Sequence, residues 1–212
     1  PTSTGFGSET TNLADLQNNG FEVAINVDDF NRENFQWNTN VAFWLNRSEI
    51  TRLDVPPFPQ PGAGFGLGLG TFYIEEGQPV TQLAGNVDGV PTQIGDVEPD
   101  FQMSFLNTFT IAKQWDVNFL LHWKEGGENI NLSKLLTDLG GTTPDLDTAA
   151  GMERAGLGFV AERFIETAAY LRLREATVYY RFPTSAVESI FGNVVEGVKL
   201  GVSGRNLFTI TD

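Results

Sequence analysis

The chain has 212 residues, of which 13 are Lys or Arg and 27 are Asp or Glu, so its formal net charge is −14 at pH 7. This acidity argues against a nucleic-acid-binding protein, which presents a basic surface to phosphates. Cysteine is absent, which excludes disulfides and thiolate chemistry, and no stretch reaches the roughly 18 consecutive apolar residues of a membrane-spanning helix.

Two amphipathic strands are predicted near the beginning of the chain, at 20–28 and 34–47. Strict alternation of apolar and polar residues indicates a strand whose two faces meet different surroundings. Only the short link DFNREN separates the two strands, so we expect them to be neighbours in one sheet. Their apolar positions are Phe21, Val23, Ile25, Val27, Phe35, Trp37, Val41, Phe43 and Leu45.

The clearest alternation follows at 101–111 and 115–125, where FQMSFLNTFTI and WDVNFLLHWKE are joined by the tripeptide AKQ. Such a short link predicts a tight antiparallel hairpin. The same pattern predicts two final strands at 169–182 and 197–208, which brings the expected number of long strands to six.

The strand at 169–182 changes phase in its middle. Leu171 is apolar on one face, whereas Val178 and Tyr180 are apolar on the other. One extra residue in a strand shifts the alternation by one position. We therefore predict a β-bulge near Arg174-Glu175, which would bring both halves into one phase.

The polar faces of these strands are rich in Asn, Gln, Ser and Thr and contain few charges. This composition suits the wet interior of a wide barrel, although an ordinary solvated sheet face remains an alternative. Alternation alone then gives the candidates for lumen-facing residues, which are Asn38, Asn40, Asn118, His122 and Arg205.

Short and long connections alternate along the chain, and the long ones occupy 49–100 and 126–168. Membrane barrels show this arrangement, with short periplasmic turns on one side and long extracellular loops on the other. Strands of about ten residues, tilted by about 40°, cross roughly 25 Å of bilayer. Four aromatic residues fall near the short-turn end, where an interfacial girdle is expected: Trp37, Trp115, Tyr180 and Phe182.

These observations predict an all-β fold, an antiparallel up-and-down transmembrane β-barrel segment whose apolar face contacts lipid. Six strands of this length cannot enclose a wet lumen. We therefore expect residues 1–212 to be a segment of a larger barrel. Two other readings remain open: a complete small outer-membrane barrel with a structural or adhesive role, which needs further strands in 53–100 or 1–12, and a soluble carbohydrate-binding β-sandwich.

A short amphipathic helix is predicted inside the second long loop, within ENINLSKLLTDLGG. Its leucines follow the spacing i, i+3, i+4 and i+7, and Gly140 is a natural helix stop. We expect the leucine stripe to be buried, either against the loops of the same chain or against a docked partner. The stripe consists of Leu132, Leu135, Leu136 and Leu139.

No residue pattern supports catalysis or a cofactor, so the chain is not expected to be an enzyme. His122 is the only histidine, and without a second histidine or a cysteine neither a zinc site nor a catalytic triad is expected. Three acidic groups have oxygen ligands of the kind calcium takes but lack calcium-loop spacing, and solvated turns explain them better: Asp28-Asp29, Asp96-Glu98-Asp100 and Asp145-Asp147.

Several ordered motifs resemble SusC/RagA-type TonB-dependent outer-membrane receptors, from about Asn12 to Asp212. They are QNNGFEVAINV, FQWNTNVAFWLNRSEITRL, EGQPVTQLAG, GDVEPDFQMSFLNTFT, FIETAAYLRLREATVYYRFP and VKLGVSGRNLFTITD. The resemblance implies the C-terminal part of a barrel of 22 strands closed around an N-terminal plug. The plug, the TonB box, the earlier strands and the last strand would then lie outside this chain, which is expected to be truncated at both ends.

The resemblance also implies a function for the parent receptor, which is energised import across a Gram-negative outer membrane. The cargo would be an oligosaccharide or a peptide too large for porins. A SusD-like surface lipoprotein would lid the barrel, and the TonB-ExbB-ExbD complex would act through the plug. This chain would supply barrel wall in contact with outer-membrane lipid, together with outer loops and part of the surface that binds the lipoprotein.

Overall fold

A computed structural model describes residues 12–64, 66–156 and 160–211. The chain divides into two compact units. We call the first the loop unit; it comprises residues up to Asn19, Asn46–Glu98 and Gly127–Thr167. The second is the sheet unit, which comprises Gly20–Leu45, Pro99–Gly126 and the residues from Ala168 onward.

The described residues form strands and short helices in the following order. The strands are β1 Ala14–Arg32, β2 Phe35–Leu53, β3 Phe58–Gly64, β4 Thr71–Ile74, β5 Gln82–Val87, β6 Val90–Asp96, β7 Phe101–Ile111, β8 Trp115–Glu125, β9 Glu128–Ile130, β10 Ile165–Thr167, β11 Tyr170–Arg181 and β12 Lys199–Ile210. The helices are α1 Leu132–Leu139, α2 Ala149–Gly156 and α3 Thr184–Phe191, with 3₁₀ turns at Ala161–Phe164 and Gly192–Val194.

The six predicted long strands form one sheet in the order β1-β2-β7-β8-β11-β12. The pairs from β2 through β12 are all antiparallel. Strands β7 and β8 begin and end at the predicted residues, and β11 and β12 differ from prediction by one or two residues at each end. The antiparallel part of the predicted fold is therefore confirmed.

The register of the sheet separates an apolar face from a polar face. One row of directly paired residues runs Trp37, Phe109, Val117, Val178, Val202. The adjacent row runs Asn38, Thr108, Asn118, Thr177, Ser203. Since neighbouring residues of a strand point to opposite sides, these rows lie on opposite faces, which we call the apolar face and the polar face.

The predicted bulge is present in β11. The pairing with β8 shifts between Leu173 and Glu175, which leaves Arg174 as the extra residue on that side. The pairing with β12 is irregular at the same place. On β8 the partners of Leu173 and Glu175 are the adjacent residues Leu121 and Leu120. The bulge therefore restores one phase along β11, so its apolar residues share a face before and after it.

Strands β1 and β2 are longer than predicted, at 19 residues each. The second was expected to end at 47, with a loop from 49. Instead β2 continues to Leu53, and Ser48 and Ile50 are buried in alternation with exposed Glu49. The alternation persists because this end of β2 packs in the loop unit.

The two predicted loops carry regular structure of their own. The strands β3-β4-β5-β6 form a four-stranded sheet, and β9 pairs with β10. The chain is thus mostly β with three short helices, of which the sequence predicted α1 alone. The buried apolar side chains of the loop unit are Ile50, Tyr73, Leu83, Ala84, Leu135, Ala161 and Phe164.

In the described part of the chain the six-stranded sheet is open, with β1 and β12 at its edges. The strands found in 53–100 form a separate sheet and do not extend it. This contradicts the requirement of the small-barrel reading for additional wall strands in 53–100, while residues 1–11 lie outside the described residues. Across the described ranges no helix is both long and apolar enough to cross a membrane.

Candidate functional site

The polar face of the sheet unit brings together the five predicted lumen residues. Asn38 and Asn118 belong to one row of paired residues. Asn40 and Arg205 lie at the two ends of the next row. His122 lies in the row after that, paired with Ser104 and with the residue at position 172 of β11. All five therefore share one face, as alternation predicted.

Hydrogen bonds between strands order the central part of this face. Asn38 Nδ2 donates to the carbonyl oxygen of Val27 at 3.0 Å and to Asp28 Oδ1 at 2.9 Å, which ties β2 to β1. Asn118 Nδ2 donates to Thr177 Oγ1 at 3.1 Å. These amides are positioned by partners within the wall, and they present a hydrogen-bonding surface without net charge.

A charged cluster lies at the short-turn end of the polar face. Asp116 Oδ2 accepts from Lys199 Nζ at 2.7 Å and lies 3.4 Å from Arg181 Nη2, and its other oxygen is 3.3 Å from Thr110 Oγ1. The cluster joins β7, β8, β11 and β12. The sequence pattern does not reveal this cluster, because Arg181 and Lys199 lie 65 and 83 residues from Asp116 along the chain.

A cluster of rings lies at the opposite end of the polar face. The rings of Trp44 and His122 are stacked, with centroids 5.6 Å apart and planes at 11°. The hydroxyl of Tyr170 is 3.1 Å from His122 Nδ1, and the guanidinium of Arg172 lies 4.6 Å from the centroid of the Tyr170 ring. The signal that could have revealed this cluster is Trp44 itself, an aromatic residue in the polar phase of β2.

His122 is 6% exposed, and its Nε2 has no hydrogen-bond partner among the described residues. It is thus a packed residue of the polar face, closed over by the neighbouring rings. The sequence assigned its face correctly but not this environment.

The apolar face carries the predicted interfacial aromatics in two groups near the short turns. Trp37 stacks on Phe30, with planes at 4°, and on Phe109. The ring centroids of Trp115 and Tyr180 are 4.7 Å apart, and those of Tyr180 and Phe182 are 5.0 Å apart. The rings share the expected end of the sheet, and their position at a membrane interface stays a prediction.

Two polar residues, Thr39 and Asn107, interrupt the middle of the apolar face. Asn107 is paired with Thr39 in the register of β2 and β7. Its Oδ1 accepts from Trp37 Nε1 at 3.0 Å and from Thr39 Oγ1 at 2.9 Å. A polar group in apolar surroundings is costly unless hydrogen-bonded, so the indole and the hydroxyl make this asparagine tolerable there.

The predicted loop helix is present as α1. Asn131 caps it by accepting from the backbone N–H of Lys134 at 2.9 Å, and Gly140 ends it. Leu135 is 0% exposed, but Leu136 and Leu139 are 54% and 47% exposed. Within the described residues Leu135 is covered, Leu132 is half-buried, and Leu136 and Leu139 are open. Burial of these two leucines against a docked partner stays a prediction.

An ion cluster joins α1 to α2 in the loop unit. Arg154 Nη2 lies 3.0 Å from Asp138 Oδ1 and 2.8 Å from Asp145 Oδ1, and the Thr143 hydroxyl also donates to Asp138. The hydrogen bond from Arg154 is the main cause that lowers the pKa of Asp138 to about 2, and the bond from Thr143 adds to it. The hydrogen bond from Arg154 also lowers the pKa of Asp145. The carboxylates of Asp138 and Asp145 in turn raise the pKa of the Arg154 guanidinium.

The acidic groups considered for calcium have other partners. Asp145 is paired with Arg154. Asp96 Oδ1 accepts from the backbone N–H of Glu98 at 3.0 Å, and Glu98 accepts from the backbone and hydroxyl of Ser48 at 3.1 and 2.9 Å. Across the described ranges, no three His, Cys, Asp or Glu residues are grouped so that they could hold a metal ion.

Comparison with curated proteins gives matches over the whole chain, although no family model matches it. TonB-dependent receptor P3 of Formosa agariphila is 26% identical over 268 aligned residues, covering 100% of this chain and 26% of that protein. TonB-dependent receptor P26 of the same organism is 24% identical over 271 residues, with coverage of 100% and 26%. The chain thus spans about a quarter of the length of these relatives.

Comparison with solved structures gives the same coverage. The RagAB peptide importer in its "closed-closed" state superposes with a TM-score of 0.70 at 20% identity, covering 100% of this chain and 28% of that one. Its "open-open" state gives 0.68 at 19% identity, with coverage of 100% and 27%. TonB-dependent receptors are outer-membrane transporters and not enzymes. All of this chain matches part of the TonB-dependent receptors in sequence. All of this chain also matches part of the SusC-type barrel protein of RagAB in fold.

Proposed function

We propose that this chain forms part of the wall and outer loops of a TonB-dependent receptor in a Gram-negative outer membrane. The parent receptor imports an oligosaccharide or a peptide too large for porins. One observation carries the proposal: the sheet unit has a mainly apolar face and an opposite, mainly polar face, and both run across β2, β7, β8, β11 and β12.

The apolar face is the lipid-facing side of this wall. Leu200 and Val202 on β12 are 66% and 76% exposed, which is unfavourable in water, since each fully buried side chain of this size is worth about 1.5–3 kcal/mol. Strands β7 and β8 have 11 residues each. At about 3.3 Å per residue and a tilt of about 40°, they cross roughly 25–28 Å, the height of a barrel's apolar band.

The polar face lines the lumen in this proposal. Asn38, Asn40, Asn118, His122 and Arg205 would lie on the side of the transport path, with His122 covered by the neighbouring rings. The two asparagines of the central row are already anchored to neighbouring strands. Trp37, Trp115, Tyr180 and Phe182 would sit at the periplasmic interface. Their clustering beside the short turns supports this orientation.

Other strands of the parent receptor cover both sheet edges in our proposal. A bilayer supplies no hydrogen-bonding partners for an open edge, and β1 and β12 are both edge strands here. A 22-stranded barrel closed around a plug, with this chain near its C-terminal end, would satisfy both edges. It also accords with the chain covering 26% of the curated relatives.

The loop unit is the extracellular part of this segment in the proposal, and a SusD-like lipoprotein is its partner. Support comes from α1, which leaves Leu136 and Leu139 exposed beside a buried Leu135. Energy for import would come from TonB-ExbB-ExbD acting on the plug of the parent receptor.

The other two readings are less consistent with the sheet. A complete small barrel requires β1 and β12 to pair, whereas both are edges. A soluble sandwich requires the apolar face to be covered, whereas Leu200 and Val202 are open. The proposal is preferred on these two observations.

The test is the mass and heat-modifiability of the polypeptide in an outer-membrane preparation. We expect peptides of this sequence in a detergent-extracted band of about four times 23.3 kDa, because the chain covers 26% of its relatives. That band should migrate faster before boiling than after it. A detergent-free species of 23.3 kDa would contradict the proposal.

A further inference from the structure

Helix α3 and the 3₁₀ turn after it lie in the link between β11 and β12, at the short-turn end of the sheet unit. Their apolar residues follow the spacing i, i+3, i+4 and i+7, which places them along one side of a helix. We call these residues the α3 stripe: Val187, Ile190, Phe191 and Val194. The other side of the helix is polar and carries Thr184, Ser185 and Glu188.

The described residues cover only the first member of the α3 stripe. Val187 is 2% exposed, whereas Ile190 and Val194 are 72% and 89% exposed, and Phe191 is exposed as well. Contact of large apolar side chains with water is unfavourable, and here three of them follow one another along one side of the link. The stripe thus extends beyond the surface that this part of the chain buries.

The link holds α3 at the rim of the sheet. The backbone N–H of Phe182 donates to the carbonyl oxygen of Val198 at 3.0 Å, which closes the base of the link. The helix begins directly after this base, where the N–H of Val187 donates to the carbonyl oxygen of Pro183 at 3.1 Å. It ends at Gly192, whose φ of 61° favours glycine and lets the chain turn back towards β12.

The base of the link continues the apolar face of the sheet. Tyr180 pairs with Leu200 on that face, and the ring centroids of Tyr180 and Phe182 are 5.0 Å apart. The polar face carries the charged cluster around Asp116 at the same rim. An apolar stripe is compatible with the apolar side of this rim and not with the charged side, because charged groups retain their water.

The charge of the link disfavours an anionic partner. Residues 183–198 contain Glu188 and Glu196 and neither Lys nor Arg. Helices that lie on anionic lipid carry basic residues on their polar side. A lipid surface that is neutral overall makes no such demand, and Glu188 can accept hydrogen bonds from ammonium headgroups. Such a surface also supplies one apolar phase for the stripe and for the adjoining face of the sheet.

We propose that the α3 stripe inserts into the interfacial layer of the periplasmic leaflet, so that the link between β11 and β12 anchors the barrel rim to a lipid surface that is neutral overall. The inference rests on the proposed function, since it assumes that the apolar face meets lipid and that the short turns are periplasmic. It goes beyond that function by assigning a membrane contact to a connection between strands. Ile190, Phe191 and Val194 would enter the same layer as the ring of Phe182.

The experiment places the fluorophore NBD on single cysteines of the intact parent receptor in phosphatidylcholine nanodiscs, where both rims of the barrel are open to the solution. The labelled variants are Ile190→Cys, Phe191→Cys and Val194→Cys. One quencher is phosphatidylcholine with a nitroxide near the top of its acyl chain, and the other is iodide in the water. We expect the nitroxide lipid to quench these labels about threefold more strongly than a label in Ser185→Cys, on the polar side of α3. Iodide should give the reverse order.

Two reference positions complete the set. A label in Leu200→Cys reports the apolar face of β12 and should be quenched by the nitroxide lipid. A label in Leu136→Cys lies on α1, which has eight residues like α3 and also exposes apolar side chains, but which belongs to the loop unit. It should be quenched by iodide and not by the nitroxide lipid. Every labelled protein should keep the heat-modifiable migration of the wild type.

Three results would overturn the inference. Iodide quenching of the stripe labels equal to that of the Ser185 label would leave the stripe in water. Protection from both quenchers would show that protein covers it. Lipid quenching at Leu136 as strong as at Phe191 would show that the label itself enters lipid. Failure of the proposed function looks different, because the label at Leu200 is then not quenched by the nitroxide lipid either.

Discussion

Trp37 donates a hydrogen bond from its indole Nε1 to Asn107 Oδ1, at 3.0 Å, on the mainly apolar face of the sheet. The same indole stacks on Phe109, with ring centroids 5.6 Å apart. Trp37 thus shares the amide oxygen of Asn107 with the Thr39 hydroxyl and contributes to the aromatic group near the short turns. The arrangement fits a wall that faces lipid, because the bilayer core contains no water that could hydrogen-bond to an unpaired amide.

Removing the indole should cost more than removing the amide. Trp37→Phe keeps the ring but takes one donor from Asn107, and we expect a loss of about 1–2 kcal/mol in the free energy of unfolding. Asn107→Leu removes the need for the donor and should be nearly neutral. The double variant should be more stable than the sum of the two single effects predicts. Urea unfolding of the parent receptor in micelles measures this; strict additivity would show that the bond carries no net energy.

The pH dependence of the loop unit should follow the ion cluster of Arg154. The pKa of Asp138 is lowered to about 2, chiefly by the hydrogen bond from Arg154. A carboxyl with a lowered pKa stabilises the fold above its unfolded value of about 4, and that stability is lost as pH falls towards 2. Pepsin cleavage between α1 and α2 should therefore accelerate from about pH 4 down to about pH 2.

The variant Asp138→Asn is the control for this dependence. It should be cut more readily than the wild type at pH 4 and should show a weaker change with pH below that. Equal slopes in the two proteins would mean that another group sets the acid sensitivity of this region.

The exposed leucines of α1 should act on partner binding and not on folding. Leu136→Ser and Leu139→Ser, at side chains 54% and 47% exposed, should leave the heat-modifiable migration unchanged and reduce co-purification of the surface lipoprotein. Leu135→Ala is the contrasting variant. It empties a fully buried position and should destabilise the loop unit by about 2–5 kcal/mol. Unchanged lipoprotein recovery in the double Ser variant would remove α1 from the docking surface.

The charged cluster at the short-turn end should contribute little to stability. The side chains of Arg181 and Lys199 are 59% and 43% exposed around Asp116. Partly exposed ion pairs are worth about 0–1 kcal/mol. Asp116→Asn should accordingly lower the free energy of unfolding by no more than about 1 kcal/mol in the same urea assay. A loss several times larger would indicate that this end of the wall is much drier than the exposures suggest.

The long strands could be predicted because a period of two is local information. Strands β7 and β8 appear at the predicted residues, and the phase change around Arg174 is a bulge, as expected. The strands of the loop sheet could not be predicted in this way, because β4 has only four residues, and β3 and β6 contain proline and glycine in place of a clear alternation. Their pairing depends on contacts between distant segments.

The candidate site also has features that local sequence predicts and features that depend on distant contacts. The face of Asn38 or Asn118 follows from alternation, whereas the stack of Trp44 on His122 joins residues on strands that are not adjacent. The open face of α1 could not be predicted for a related reason. Spacing gives the width of a leucine stripe but not which part of it the rest of the chain covers, and only Leu135 is fully covered.

The central claim is that the apolar face contacts lipid and the polar face contacts water. It is tested most directly by spin labels placed on single cysteines at adjacent positions of β11 and β12, in the parent receptor reconstituted into vesicles. Labels at Val178 and Val202 should be relaxed by oxygen, which concentrates in lipid. Labels at Tyr179 and Ser203, the next residues along the two strands and therefore on the opposite face, should be relaxed by a water-soluble nickel complex. Equal access of the nickel complex to all four positions would contradict the account.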